Sequence, residues 1–325
     1  MNWPLSVIGS DPTKSSPHLK LSQAFFDSPR INAVYVHIPF CFHKCHYCDF
    51  YSIVDSPGPN NRQPQFLDTL ILELHRRSGQ LHLRPHTLFV GGGTPTYLAP
   101  PLWTRFLSSF HEHRILDEVA EFTVEANPET VTSALLDQLV HGGVNRISMG
   151  AQSFQPDLLK TLERWHDPAS VAHACNLARQ AGIRNLNLDL IFAIPGQTMA
   201  QLDADLDALL TLEPQHLSCY GLTYEPGTAL LEKLQLGRVQ RLDEDLEKVM
   251  FEHVITRLTW AGYEQYEISN FALPGQQCQH NLHYWANDNW LGLGPAAASH
   301  VNGYRWKNAP PSWKIPGKQR GTAHH

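Results

Sequence analysis

Three of the chain's six cysteines, Cys41, Cys45 and Cys48, fall within eight residues in the stretch YVHIPFCFHKCHYCDFYS. In a thiol-reducing compartment such a cluster points to metal binding rather than to disulfides. Two chemistries compete for it. A structural zinc ion wants four ligands, and His43, His46 or Asp49 would complete the set. A four-iron four-sulfur cluster that only carries electrons takes one thiolate on each iron. Three thiolates leave one iron open, and an open iron can coordinate a substrate or a cofactor.

Further polar groups stand at the ends of β-branched runs. GGGTPT (91–96) combines the side-chain-free backbone of Gly92 and Gly93, which a ligand can approach closely, with the Thr94 hydroxyl. Glu125 lies near the end of EFTVEA, Gln152 ends RISMGAQ, and Asp189 lies in NLNLDLIF. One carboxylate at a strand end is more often a helix cap. Three polar groups on one rim favour a ligand. Arg164, in LERWHD, can reach inward to pair a carboxylate, although an arginine on a helix is usually a solvated charge.

The elements that must position these groups form a series of β-then-α units. Strand patterns at 33–38, 87–91, 121–126, 146–152, 185–192 and 216–222 alternate with helical periodicity at 64–78, 101–114, 129–141, 155–163, 168–181 and 198–212. Six such units imply parallel strands joined by right-handed crossovers, which curl toward a partial (βα)6 barrel; a full eightfold barrel and an open doubly wound sheet are the alternatives. The loop after the first strand then opens at the C-terminal mouth, where barrel sites are built. A long helix at 242–260 and a strand-like YEQYEIS follow. The expected organisation is a flexible extension over 1–30, the barrel over 31–262, a C-terminal segment over 263–305 and a disordered tail over 306–325 that lacks an apolar period. Cys175, in a helix, and Cys219, in the sixth strand, read as small buried residues.

The totals exclude several classes. At 325 residues the chain can bury a large core without disulfides. A net charge of -6 and a pI near 6.3 argue against a surface that tracks nucleic-acid phosphates. There is no apolar run of about 18 residues and residues 1–30 carry no secretory signal, so the expectation is a soluble cytoplasmic protein, not an integral membrane one.

The blocks YVHIPFC, GGGTPT, GAQSF, LDLIFAIPGQT and EPGT, in that order within about residues 33–300, resemble the radical S-adenosylmethionine (SAM) superfamily and, within it, the oxygen-independent coproporphyrinogen III oxidase family. The resemblance implies a [4Fe-4S] cluster on Cys41, Cys45 and Cys48, with the amino and carboxylate groups of SAM on its open iron. It also matches Tyr35, Gly92, Gly93, Thr94, Glu125, Gln152, Arg164 and Asp189 to positions around SAM. The implied fold is α/β, a partial (βα)6 TIM-like radical SAM barrel with a small C-terminal appendage that looks truncated where relatives continue into a helical or winged-helix-like domain.

Two features choose a branch of that family. Its porphyrinogen oxidases carry a further cysteine two residues after the triplet, where this chain has Phe50. HNLHYW (280–285) is similar to the H-N-x-x-Y-W motif of HemW-type heme chaperones, which implies heme as a ligand and His280 as its donor, with His283 and Cys278 as second choices. Taken alone, the hexapeptide reads as a packed, hydrogen-bonded histidine in a linker. The expected function is a heme chaperone that binds the cluster, SAM and heme and delivers heme to an acceptor such as a respiratory hemoprotein at a membrane. A coproporphyrinogen oxidase acting by hydrogen abstraction and a zinc-stabilised binding protein are the alternatives. Whether SAM is cleaved to methionine and a 5'-deoxyadenosyl radical or only gates heme transfer stays open.

Overall fold

The structure, a computed structural model, describes residues 5–7, 30–56, 58 and 61–310. In chain order its elements begin β1 (Leu5–Val7), β2 (Arg30–Ile38), β3 (Phe40–Cys41), β4 (Ile53–Val54), α1 (Gln63–Ser78), β5 (His82–Gly92), α2 (Pro100–Glu112), β6 (Glu121–Ala126), α3 (Ser133–His141) and β7 (Arg146–Gln152). They continue with α4 (Pro156–Thr161), α5 (Pro168–Gln180), β8 (Asn185–Phe192), α6 (Met199–Thr211), β9 (His216–Gly221), α7 (Ala229–Gln235) and α8 (Glu244–Trp260). The last are β10 (Glu264–Gln265), β11 (Asn270–Ala272), α9 (Gln279–Trp285), β12 (Trp290–Leu293), β13 (Ala298–Val301) and β14 (Tyr304–Asn308).

Strands β2, β5, β6, β7, β8 and β9 lie side by side in chain order and pair in parallel. Their order never reverses, so there is no switch point, and the doubly wound alternative is excluded. Beyond β9 the sheet turns antiparallel through β11 and β10; beyond β2 it gains the parallel β12 and then antiparallel β13, β14 and β1. Six βα units with such flanks form the partial barrel, not the eightfold one.

Apart from register shifts at Ile31/Ala33 and Gly150/Gln152, the six strands alternate between their two faces. Val34, Val36, Leu88, Val90, Phe122, Val124, Ile147, Met149, Leu186, Leu188 and Leu217 point outward and are buried in the main core with the helices. Removing side chains of this size from water stabilises the fold by about 1.5–3 kcal/mol each. The alternate positions point inward, and they are mostly polar: Tyr35, Thr87, Thr123, Glu125, Arg146, Ser148, Asn187, Asp189, His216 and Ser218. Polar side chains cannot close-pack a barrel interior without leaving donors and acceptors unpaired, so the interior is a lined chamber.

Local signals set the helix limits. Prolines stand in the first turns of α1, α2, α4 and α5, and Thr198 with Gln201 closes a capping box on α6. Pro128 and Glu129 start a short 3-10 turn rather than the helix expected from 129; α3 begins at Ser133, where the Thr132 hydroxyl accepts from the N–H of Leu135. Within the expected N-terminal extension, Leu5–Val7 pair with β14. The boundary expected at 305 is passed by β14, in which Trp306 and Asn308 are buried; Asn308 donates to Glu73 Oε1 (2.9 Å) and to the carbonyl of Gly294 (2.9 Å). Buried partners can fix a strand that has no apolar period. The rest of both terminal stretches lies outside the described residues. HNLHYW forms a helix, α9, rather than a linker. Cys175 and Cys219 are buried in α5 and β9.

Candidate cluster and cofactor site

Two adjoining cavities occupy the barrel. The smaller, about 210 Å³, lies at the C-terminal mouth and is lined by Cys41, Cys45, Cys48, Gly92, Gly93, Thr94, Glu125, Gln152, Arg164 and Asp189. The larger, about 580 Å³, runs from Cys48 and Phe50 past Tyr35, Glu125 and Asp189 to Arg146, Cys278, His280 and Tyr284. In β6 and β8 the carboxylates of Glu125 and Asp189 belong to the few side chains that keep some surface, and that surface faces the cavities.

The cysteine loop leaves the barrel through β3 and returns through β4, which pair in parallel. Its thiols are free. A chain of hydrogen bonds joins two of them: the Thr94 hydroxyl donates to Cys41 Sγ (3.7 Å), Asn127 Nδ2 donates to Thr94 Oγ1 (3.2 Å), Arg164 Nη2 donates to Asn127 Oδ1 (3.1 Å), and Arg164 Nη1 donates to Cys45 Sγ (3.6 Å). Both terminal donors aim at sulfur, as suits sulfur that carries negative charge. Arg164 follows α4 after Glu163, whose φ of 57° turns the chain back toward the mouth, so it is not a solvated helix charge. Burial pushes the thiols of Cys41 and Cys48 upward, Cys48 to about 11, so ligation must displace protons.

Backbone geometry aims the remaining groups. Gln152 has φ 57° beside a register shift between β7 and β8, a bulge that redirects its side chain into the cavity. Gly150 makes room there, because a Cβ at that position would sit 2.5 Å from Gln152 Nε2 and 3.1 Å from Arg164 Nη2. The GGG run serves a similar purpose. A Cβ on Gly91 would lie 2.7 Å from the Glu125 carboxyl carbon, one on Gly92 2.6 Å from the His37 ring, and one on Gly93 2.7 Å from the Phe40 carbonyl. The expectation that these glycines serve close ligand approach is therefore amended: they first let neighbouring strands and side chains close up, and the backbone of Gly92 and Gly93 then lines the cavity.

Glu125 Oε2 accepts from the N–H of Gly92 (3.0 Å); burial, then the nearby Asp189, raise its carboxyl to about 7. Burial also raises Asp189, against the hydrogen bond that it accepts from Asn187 Nδ2 (2.7 Å). Tyr35 lines the larger cavity and donates its hydroxyl proton to His37 Nδ1 (2.9 Å), while His37 Nε2–H donates to the Tyr51 carbonyl (2.8 Å). Burial holds His37 neutral, lowered to about 4, so that one ring nitrogen can accept.

Residues 35–209 match the model of the radical SAM superfamily. The heme chaperone HemW of Bacillus subtilis (strain 168) is 37% identical over 284 residues, 86% of this chain and 74% of that protein. This chain belongs to the radical SAM superfamily and, within it, to the HemW family. The HemW of Escherichia coli (strain K12) is 39% identical over 271 residues, 83% of this chain and 70% of that protein. Among solved structures, the coproporphyrinogen III oxidase HemN from Escherichia coli, a radical SAM enzyme, matches with a TM-score of 0.74 at 26% identity over 86% of this chain and 67% of that one. The radical SAM family implies a [4Fe-4S] cluster and SAM.

The HemW-family residues of the mouth fit that pair of groups. Gln152 Oε1 and Arg164 Nε are buried without protein partners in two side chains that line the thiol cavity. The zinc alternative fits less well. Among the described residues, no three or more His, Cys, Asp or Glu converge as ligands of one ion. His46 Nδ1 accepts from Lys233 Nζ (2.8 Å), and His43 stacks on Trp165 at 4.7 Å with its Nε2 buried and unpaired. A cubane sets each thiolate on a different iron and needs no such convergence.

At the other end, α9 closes the chamber. His280 is 1% exposed; its Nδ1 pairs with Thr87 Oγ1 (2.8 Å) and its Nε2 with Tyr284 Oη (2.9 Å), and burial lowers it to about 3. Cys278 Sγ donates to Glu121 Oε1 (3.5 Å). His283 is half-buried, with Nδ1 held by Asp288 Oδ2 (2.7 Å). Sequence reasoning missed Asn127, His37 and Gly150. The alternation E-A-N-P-E gave Asn127 no distinction, since only folding shows that it links Thr94 to Arg164.

Proposed function

We propose that this protein is a radical SAM heme chaperone, which holds a [4Fe-4S] cluster and SAM at the barrel mouth, binds heme through the α9 segment and passes it to an acceptor hemoprotein. The observation that carries the mouth assignment is the Cys41–Thr94–Asn127–Arg164–Cys45 chain, whose ends both donate to sulfur. When bound, the cluster supplies an electron and an open iron for SAM. Cys41, Cys45 and Cys48 hold the cluster, and Thr94 and Arg164 offset charge on its sulfurs. Gln152 offers an unpaired acceptor, Glu125 and Asp189 offer carboxylates to the cationic groups of SAM, and Gly92 and Gly93 present backbone. Tyr35, tied to His37, supports the wall behind Glu125. The heme role rests on the HemW relatives, which are named as heme chaperones.

His283 is the heme donor we favour. Both ring nitrogens of His280 are spent inside the fold, whereas Asp288 holds Nδ1 of His283 and leaves the other nitrogen for iron. Hemin titration tests this: H283A is expected to weaken the Soret change at least tenfold, with H280Q and wild type alike. Loss with H280Q alone returns the donor role to His280. Anaerobic reconstitution tests the mouth, with iron and acid-labile sulfide expected near four each per chain and an electron-spin signal that changes on adding SAM. Colourless, zinc-loaded protein would sink the reading. Anaerobic turnover of coproporphyrinogen would replace the chaperone with an oxidase, a reaction that Phe50 in place of the further cysteine disfavours.

A further inference from the structure

The chamber contains a cation that neither the cluster, SAM nor α9 employs. Arg146 opens β7, points inward and is 2% exposed. Among the described residues its one hydrogen bond, Nη1 to Thr123 Oγ1, is 3.5 Å long, and Nε is buried with no partner. The acidic groups around it are committed elsewhere. Glu121, at the start of the neighbouring strand, accepts from Cys278 Sγ and from the N–H groups of Gln279 and His280. Glu125 accepts from Gly92 and Asp189 from Asn187, and both lie farther up the barrel. Among the described residues no carboxylate lies within 4 Å of the guanidinium.

A buried, unpaired guanidinium loses hydration without recovering it from the protein, and a methionine or leucine would fill the same space at no such cost. A residue that destabilises the empty fold in this way is expected where a ligand completes it. Arg146 faces the 580 Å³ chamber, with Tyr35, Phe89, His216 and Tyr284 as aromatic walls and the hydroxyls of Ser148 and Ser218 alongside. It does not line the smaller cavity; Gln152 is six residue steps farther along β7, roughly 20 Å at about 3.3 Å per step.

We propose that Arg146 anchors a carboxylate subsite deep in the barrel, which takes an organic acid with an apolar body and receives its carboxylate on the guanidinium. An aromatic wall suits the body, and Arg is the side chain whose fork matches a carboxylate. The inference stands apart from the heme reading, since it uses no residue of that donor set.

Benzoate and its neutral isostere benzamide are the probes, titrated calorimetrically into cluster-reconstituted full-length protein at pH 7. Benzoate is expected to bind at least tenfold tighter than benzamide; R146Q abolishes the preference and R146K keeps part of it. In unliganded protein, R146M is expected to melt at or above the wild-type temperature, because it removes an unpaired buried charge. Equal binding of the two probes by wild type, or a preference that survives in R146Q, overturns the subsite. A melting point several degrees lower for R146M assigns Arg146 to the structural core and overturns it too. Failure of heme binding would leave all of these readings unchanged.

Discussion

The mouth of this barrel and the α9 helix that closes its floor are both polar and both buried, yet they are satisfied to opposite degrees. At the mouth, free thiols line a cavity together with Gln152 and Arg164, whose Oε1 and Nε are buried without protein partners. At the floor, His280 has partners on both ring nitrogens, and Glu121 caps the start of α9 with both oxygens. Polarity alone thus does not mark a ligand site. Missing partners beside a cavity do, and by that measure the mouth is built for guests while His280 is built to stay.

The contrast can be broken by mutation. The largest effect is expected at the thiols: serine in place of Cys41, Cys45 or Cys48 should drop bound iron from about four per chain to near none after reconstitution, with the circular dichroism of the fold retained. E125Q should weaken SAM binding about tenfold, the scale of a lost charge-assisted hydrogen bond. In wild type, Glu125 is protonated below about 7, so affinity for cationic SAM should climb as pH rises through 7, and E125Q should flatten that rise. The sign for stability is opposite. A carboxyl raised from 4.5 to about 7 binds a proton in the folded chain that the unfolded chain has lost, so its contribution is complete below 4.5 and disappears as pH rises through 7. Urea titrations across that window should show a smaller slope for E125Q.

At the floor the currency changes from binding to stability. H280A leaves Thr87, Tyr284 and a small cavity behind, and should cost about 2–4 kcal/mol while SAM affinity at the mouth holds. An equal loss of SAM affinity would mean that floor and mouth are coupled. G91A should cost about 1–3 kcal/mol as an overpacking change and, by displacing Glu125, weaken SAM as well. The smallest effect belongs to Trp285, 59% exposed at the end of α9, where W285A should shift stability by no more than about 0.5 kcal/mol.

Much of the frame was legible because both of its periods are local. All six parallel strands and the helices between them were expected, although β5 begins at His82, well before the expected 87. The strand alternation N-L-N-L-D-L also announced that one face of β8 is polar. The misread points share a cause. The start of α3 shifted because Thr132, and not Pro128, satisfies its first donors; β14 was missed because one of its anchors, Glu73, lies far away in sequence. His280 reads as a ligand in its motif and as a packed side chain in its surroundings, and only the surroundings reveal that both nitrogens are taken.

The chain's own order of residues determined a β-then-α series, three thiols on the loop after its first strand and a polar face on each strand, because propensity, side-chain period and ligand chemistry act over a few residues. Tertiary structure alone decided that Asn127 would tie Thr94 to Arg164, that Gly91 and Gly150 would yield space to side chains from elsewhere, and that Arg146 would lie buried with its Nε unpaired. Hydrogen bonds and charge pairing depend on distances across the barrel, and those distances exist only once the strands are side by side.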